Sequence, residues 1–245
     1  MPETSRDASR ETFRTLRVPA SSANLGPGFD TLGLALELYL QCRFRRAPEL
    51  IIRVSGRDSA QIPTGDDNLI WQTARQIILQ YGSGTGSPDS VGLPGAIETT
   101  AIELIVENDI PLGKGLGSSA AAVMAGVIIG AELAGLDWDR ARVLDEAAKI
   151  EGHPDNAAAC ALGGIVASAM VTGPPAAGLL ESSGGCANAR AVRLEFPARF
   201  GVAVIVPGFQ VPTSEARRVL PESYSREDAI FNLQHVALLL SLIHI

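Results

Sequence analysis

The chain has 245 residues, 46% of them hydrophobic, with a formal charge of -7 and an isoelectric point of ≈ 5.0. That length supports one large domain or two modest ones with a real core, and the acidic balance with scattered arginines excludes adhesion to nucleic acid or to an anionic membrane. Cys42, Cys160 and Cys186 show neither a paired framework nor a metal-ligand spacing, which points to free thiols in the reducing cytoplasm.

Residues 1–13 form a polar tail in which Glu3, Asp7 and Glu11 alternate with arginines; with no apolar segment it is not a secretory signal. Residues 13–19 alternate and predict a strand that runs into a Ser/Asn/Gly/Pro loop at 21–28. Residues 32–44 read as a strand pair and 49–54 as a short strand. Asp66 and Asp67 are expected to cap a helix over 68–81, striped by Leu69, Thr73, Ile77 and Leu79. A glycine-rich loop at 82–95 precedes an alternating strand at 101–106.

The apolar run 120–136 is interrupted by Gly126, Gly130 and Glu132 and is shorter than the roughly 20 residues that span a bilayer, so it predicts a buried helix closed by Gly135. A second helix is expected from about Asp137, with Val143, Leu144, Ala147 and Ile150 on one face, ending in the polar segment 151–156. Further along, 161–170 predicts a strand, 173–189 a low-complexity loop, 201–206 a fully apolar strand and 231–240 the start of a helix.

The segment Pro111-Leu112-Gly113-Lys114-Gly115-Leu116-Gly117-Ser118-Ser119-Ala120-Ala121 carries the strongest chemical signal. Three alternate glycines can turn backbone N–H groups toward an anion. The helix that Ser118 and Ser119 open offers unpaired amides and about half a positive charge at its N-terminus. This is the layout of a phosphate cradle. A Walker A loop is excluded, because Lys114 lies inside the glycine run and no Lys-Ser or Lys-Thr follows it; the dinucleotide fingerprint fails on spacing.

Two other polar segments could be functional or plain. PASSANLGPGFD at 19–30 holds Asn24 and Asp30, which could equally bond their own backbone in a capped turn. EGHPDN at 151–156 holds Glu151, His153, Asp155 and Asn156; a carboxylate near phosphates suggests Mg²⁺, and a solvated helix end is the plain alternative.

These three segments together resemble the GHMP small-molecule kinases, and within them the homoserine kinase branch. The cradle at 111–121 marks the superfamily, whereas 19–30, 151–156 followed by 157–164, and PTSEAR at 212–217 match the branch; the likeness runs over about residues 14–239. The resemblance implies a two-lobed α+β fold, with a ribosomal S5-like N-terminal lobe over 14–170 and a partial C-terminal lobe over 171–239. It implies phosphorylation of the L-homoserine side-chain hydroxyl by ATP with Mg²⁺, on the route to threonine, and leaves a homodimer open.

On the same resemblance, residues 111–121 wrap the triphosphate, Asn68 helps to hold the nucleotide, and Ser119 and Glu151 are the metal ligands. Asp30 takes the substrate ammonium and Arg217 its carboxylate, while Asn24, His153, Asn156 and Thr213 fill the remaining substrate-side polar positions. Asn24, Ser119 and Glu151 form the expected catalytic set, no base is assigned, and Lys114 gives electrostatic support at most. Another GHMP kinase of the mevalonate type, or a non-catalytic sensor on the same fold, would share the cradle. Family members also carry a further substrate-binding arginine and a third glycine-rich motif, absent from these 245 residues, so the second lobe is expected to be incomplete. The hexapeptide at 240–245 matches one frame of a transposon-end sequencing adaptor and is expected to be non-native.

Overall fold

The computed structural model describes residues 12–82, 101–171, 189–195, 201–206, 208–209 and 217–244. Six strands form one sheet: β1 (Arg14–Asn24), β2 (Gly28–Ala47), β3 (Ile51–Gly56), β4 (Ala101–Asn108), β5 (Ile165–Met170) and β6 (Ala189–Leu194). The order is β3-β4-β2-β5-β6, with β1 on the opposite edge of β2. Among the described strands only β3 and β4 run parallel, a pairing that needs a crossover, and α1 (Leu69–Tyr81) lies on it.

β2 organises the sheet. Its residues 40–47 pair with β4 and its residues 32–34 with β5, while β1 follows it along the other edge. Even-numbered side chains Leu32, Leu40, Cys42 and Phe44 face the core. The β1–β2 register shifts between Pro19 and Ala20, where the proline lacks a ladder donor, and beyond this break Ala20 and Ser21 are both fully buried.

Among the described residues four more α-helices follow: α2 (Ser118–Leu133), α3 (Arg140–Glu151), α4 (Asp155–Leu162) and α5 (Arg226–His244). α2 is apolar on nearly every face because it packs against α1, α3, α4 and the sheet. Its Gly126 and Gly130 let α1 approach closely: a Cβ at Gly126 would sit 2.5 Å from Thr73 Cβ, and one at Gly130 would sit 2.7 Å from the Ala74 carbonyl oxygen. Phe44, Ile77, Leu104, Met124 and Leu144 are fully buried in this core, each contributing about 1.5–3 kcal/mol of burial free energy. No helix among the described residues is long and apolar enough to cross a membrane.

Several local expectations are corrected. The 21–28 loop is a tight turn, since β1 continues to Asn24 and β2 begins at Gly28; the expected strand pair at 32–44 is one strand. Asn68, not Asp66 or Asp67, caps α1: its Oδ1 accepts from the Ile70 and Trp71 amides, while Asp66 accepts the Trp71 indole N–H at 3.3 Å. The second helix starts at Arg140, capped by Asp139, and α4 occupies 155–162, where an early strand was expected to begin at 161. Residues 201–206 are exposed and form no strand, because no described segment lies beside them to complete a ladder. β6 pairs with β5, so the first sheet extends into the 171–239 range. α5 begins at Arg226, ahead of the expected start, and continues through Leu240–His244. Loops expected at 83–95 and 173–188, together with Cys186 and Thr213, fall outside the described residues.

Candidate active site

The glycine-rich segment lies between β4 and the first turn of α2. Gly113, Gly115 and Gly117 have φ of 65°, 69° and 67°, the left-handed region that alternate glycines make accessible. Gly117 is also the N-cap of α2 and makes no side-chain cap bond, so the first amides of the helix have no side-chain acceptor there. The loop is held at both ends. Asp58, at φ 53°, accepts the Leu112 amide at 3.0 Å, and the Leu116 carbonyl accepts the Ser21 amide at 3.1 Å. Pro111, Leu116, Ala120 and Ala121 are buried, whereas Gly113, Gly115 and Ser119 are exposed, so the loop presents its glycine edge outward. Lys114 points to the Phe209 carbonyl at 2.9 Å.

Beside this loop is a cavity of ≈ 250 Å³ whose lining includes Ile62, Pro63, Leu69, Leu112, Ala122 and the serines Ser118 and Ser119. Asn68 reaches it too, but its polar atoms are engaged locally: Nδ2 donates to the Pro63 carbonyl at 2.7 Å and Oδ1 caps α1. It shapes the cavity wall and positions the 63–68 turn.

Ser119 Oγ donates to Glu151 Oε1 at 3.0 Å, joining the first turn of α2 to the last residue of α3. Burial pushes the Glu151 carboxyl above its ordinary range, although the Ser119 hydroxyl and His153 pull it partly back. A hydroxyl and a carboxylate at this distance are a hard-oxygen pair that suits Mg²⁺.

The helix junction at Gly152 gathers the other polar groups. His153 Nδ1 lies 2.5 Å from Asp155 Oδ1, and this partner holds the imidazole above its ordinary range against the opposing effect of burial. Asp155 is 1% exposed and its Oδ1 also accepts the Asn156 amide at 2.7 Å. Asp30 joins them, with one ligand atom from each of Asp30, His153 and Asp155 within 4.8 Å of one another. In the β1–β2 turn, Asn24 Oδ1 accepts the Asp30 amide at 2.9 Å, and both residues have positive φ, 70° and 54°. The capped-turn reading of Asn24 therefore holds in the geometry. Arg217 and Asp30, expected on the resemblance to take the substrate carboxylate and ammonium, bond each other: Nη1 donates to Oδ2 at 3.0 Å and Nη2 to Oδ1.

The two halves touch at Gly117, where Asn156 Oδ1 would lie 3.1 Å from an added Cβ. The glycine-rich loop, the 19–30 turn, the 151–156 junction and Arg217 are thus brought together, with the loop's glycine edge on one side and paired charges of opposite sign on the other. Ser21 sits inside the 19–30 motif without an expected role, and Asp58 lies outside every motif; Asp58 is 54 residues from the amide it accepts, so only the tertiary fold reveals it. Burial pushes the Cys42 and Cys160 thiols up to about 12, so neither serves as a nucleophile.

The GHMP kinases N terminal domain profile matches residues 68–164, the stretch from the α1 cap through α4. The homoserine kinase of Solibacter usitatus (strain Ellin6076) is 52% identical over 234 residues, covering 96% of this chain and 68% of the relative. This chain belongs to the homoserine kinase family. Among solved structures, thrB from Listeria monocytogenes aligns at a TM-score of 0.66 and 29% identity, covering 95% of this chain and 68% of that one. Homoserine kinase from Cytophaga hutchinsonii ATCC 33406 aligns at 0.65 and 25%, covering 96% and 68%. The chain therefore spans about two thirds of the length of these homoserine kinase relatives, and its mixed sheet with packed helices is the GHMP kinase fold.

Proposed function

We propose that this protein transfers the γ-phosphoryl group of ATP to the side-chain hydroxyl of L-homoserine, giving O-phosphohomoserine. One observation carries the reading: the cradle at 111–117 abuts a cluster that presents an anion, Asp30, and a cation, Arg217, side by side. A zwitterionic amino acid needs both. Its ammonium replaces Arg217 at Asp30, its carboxylate takes the Arg217 guanidinium, and its side chain is left to point toward the cradle. Asn24 holds the Asp30 turn, while His153 and Asn156 supply other polar positions on this side, and Thr213 is assigned to the substrate on the family resemblance alone.

The backbone amides of residues 113–120 receive the phosphates, and the apolar cavity beside Asn68 receives the base. Ser119 and Glu151 would hold Mg²⁺, which when bound neutralises charge on the phosphate oxygens. Phosphoryl transfer asks mainly for alignment and charge neutralisation, so no side chain is assigned as a base. Free, buried Cys42 and Cys160 agree with a cytoplasmic setting.

ADP release measured with homoserine, threonine, mevalonate and galactose tests the assignment. Homoserine is expected to be the preferred acceptor by kcat/KM. Preference for mevalonate would move the protein to another branch of the superfamily, and saturable binding without turnover would make it a sensor.

A further inference from the structure

Ser21 is fully buried on β1, just beyond the register break at Pro19, and makes two bonds in different directions. Its amide donates to the Leu116 carbonyl of the cradle at 3.1 Å. Its hydroxyl donates to Asn156 Oδ1, in the first turn of α4, at 2.8 Å. Asn156 Oδ1 at 2.8 Å is a stronger acceptor for the hydroxyl proton than the Cys160 sulfur at 3.8 Å, whose own thiol donates to the Pro19 carbonyl at 3.3 Å. The fit against Gly117 is tight enough that an added Cβ there would come within 2.1 Å of Ser21 Oγ.

We infer that Ser21 is a positioning residue that ties the phosphate cradle to Asn156 and so fixes the donor half of the site relative to the acceptor half. The inference rests on the proposed kinase reading for the identity of those halves. Because the hydroxyl is bonded to Asn156 Oδ1, the amide nitrogen of Asn156 is turned away from Ser21, which presents a donor rather than an acceptor to whatever lies beyond. Losing the hydroxyl leaves the cradle's backbone bond intact but frees the Asn156 amide to rotate. Transfer in line is sensitive to that kind of displacement, whereas ground-state binding of ATP, whose cradle keeps its backbone bond, is not.

The test measures ADP release and thermal unfolding for Ser21→Ala, Ser21→Cys, Asn156→Ala and the Ser21→Ala/Asn156→Ala double variant. Ser21→Ala is expected to lower kcat about 10- to 100-fold with the KM for ATP within about threefold of wild type and any rise in the KM for homoserine smaller than the fall in kcat. Ser21→Cys, which keeps a weaker donor of similar shape, should fall between wild type and Ser21→Ala, and it serves alone if the alanine variant does not fold. Once Asn156 is alanine, removing the Ser21 hydroxyl should change kcat by less than about threefold, the signature of a shared interaction. Multiplicative losses in kcat, a defect confined to the KM for ATP, or a cysteine variant no better than alanine each overturn the proposal. If wild type phosphorylates a hydroxyl other than homoserine, the functional reading fails by itself and the same comparison is made with that acceptor. If it phosphorylates none, the unfolding midpoints decide: coupled losses at Ser21 and Asn156 uphold the tether, and additive losses overturn it.

Discussion

Asp30 and Arg217, 187 residues apart in sequence, form a bidentate ion pair, with Nη1 donating to Oδ2 at 3.0 Å and Nη2 to Oδ1. Both side chains remain about one third exposed, 33% for Asp30 and 39% for Arg217, so solvent weakens the pair and a ligand can divide it. Each group is the counter-ion that the other would surrender to a zwitterion.

Replacing Asp30 by alanine is therefore expected to raise the KM for homoserine about tenfold or more while leaving the KM for ATP within about twofold. Steady-state kinetics in both substrates check this. Equal rises in the two KM values would remove Asp30 from the substrate side.

Glu151→Gln is expected to lower kcat and to raise the Mg²⁺ concentration needed for half-maximal rate, because a neutral amide is a poorer ligand than a carboxylate. The wild-type carboxyl is raised by burial, so its ionised form is lost on acidification sooner than for an ordinary glutamate. Activity should then fall on the acid side at a pH above the usual carboxylate range, and Glu151→Gln should lack that limb. A Mg²⁺ titration unchanged by the substitution would rule out the ligand role.

At Gly117, alanine meets two obstacles at once: a φ of 67° and a Cβ 2.1 Å from Ser21 Oγ. We expect Gly117→Ala to destabilise the fold by about 1–3 kcal/mol and to weaken ATP binding through displacement of the α2 N-terminus. Denaturant midpoints and nucleotide titration check both effects; full stability with native ATP affinity would mean that the contact is easily relieved.

Glu103 tests the sheet rather than the site. Arg53, and then Arg45 at 2.8 Å through Nε, hydrogen-bond its carboxylate and hold its pKa below the ordinary range. A depressed carboxyl contributes stability that is present above the unfolded-state value of about 4.3 and lost as pH falls through the folded-state value. Glu103→Gln should therefore be less stable than wild type at pH 7, with the difference shrinking as the solution is acidified. Unfolding midpoints measured across that range would show a constant gap if the carboxylate were not involved.

The cradle and α2 were legible because their chemistry is local: alternate glycines, two serines and an apolar run adjoin in sequence and in space. α4 was not. Its eight residues are almost all alanine or polar, too short to set a helical stripe, and the boundary that separates it from β5 is the pair Gly163 and Gly164, both at φ 69°. Residues 201–206 read as a strand on composition, but a strand exists only beside a partner, and no described segment provides one. In the site, residue types were readable and pairings were not. Asp30 and Arg217 each read as a partner of a ligand charge, and their pairing with each other, across 187 residues of chain, is visible only in the fold.

β2 carries a further consequence for how this lobe tolerates changes in length. Between the Pro19–Tyr39 and Ala20–Leu36 pairings, Glu37 and Leu38 have no β1 partner, and both are exposed. Deleting one of them would invert the pleat of one half of the strand, turning Leu40, Cys42 and Phe44 outward or moving Leu32 to the wrong face. Deleting both would preserve the phase of each half and only straighten the bend. Length variation here is thus permitted in steps of two, and a single-codon loss in this exposed stretch would be felt in the core.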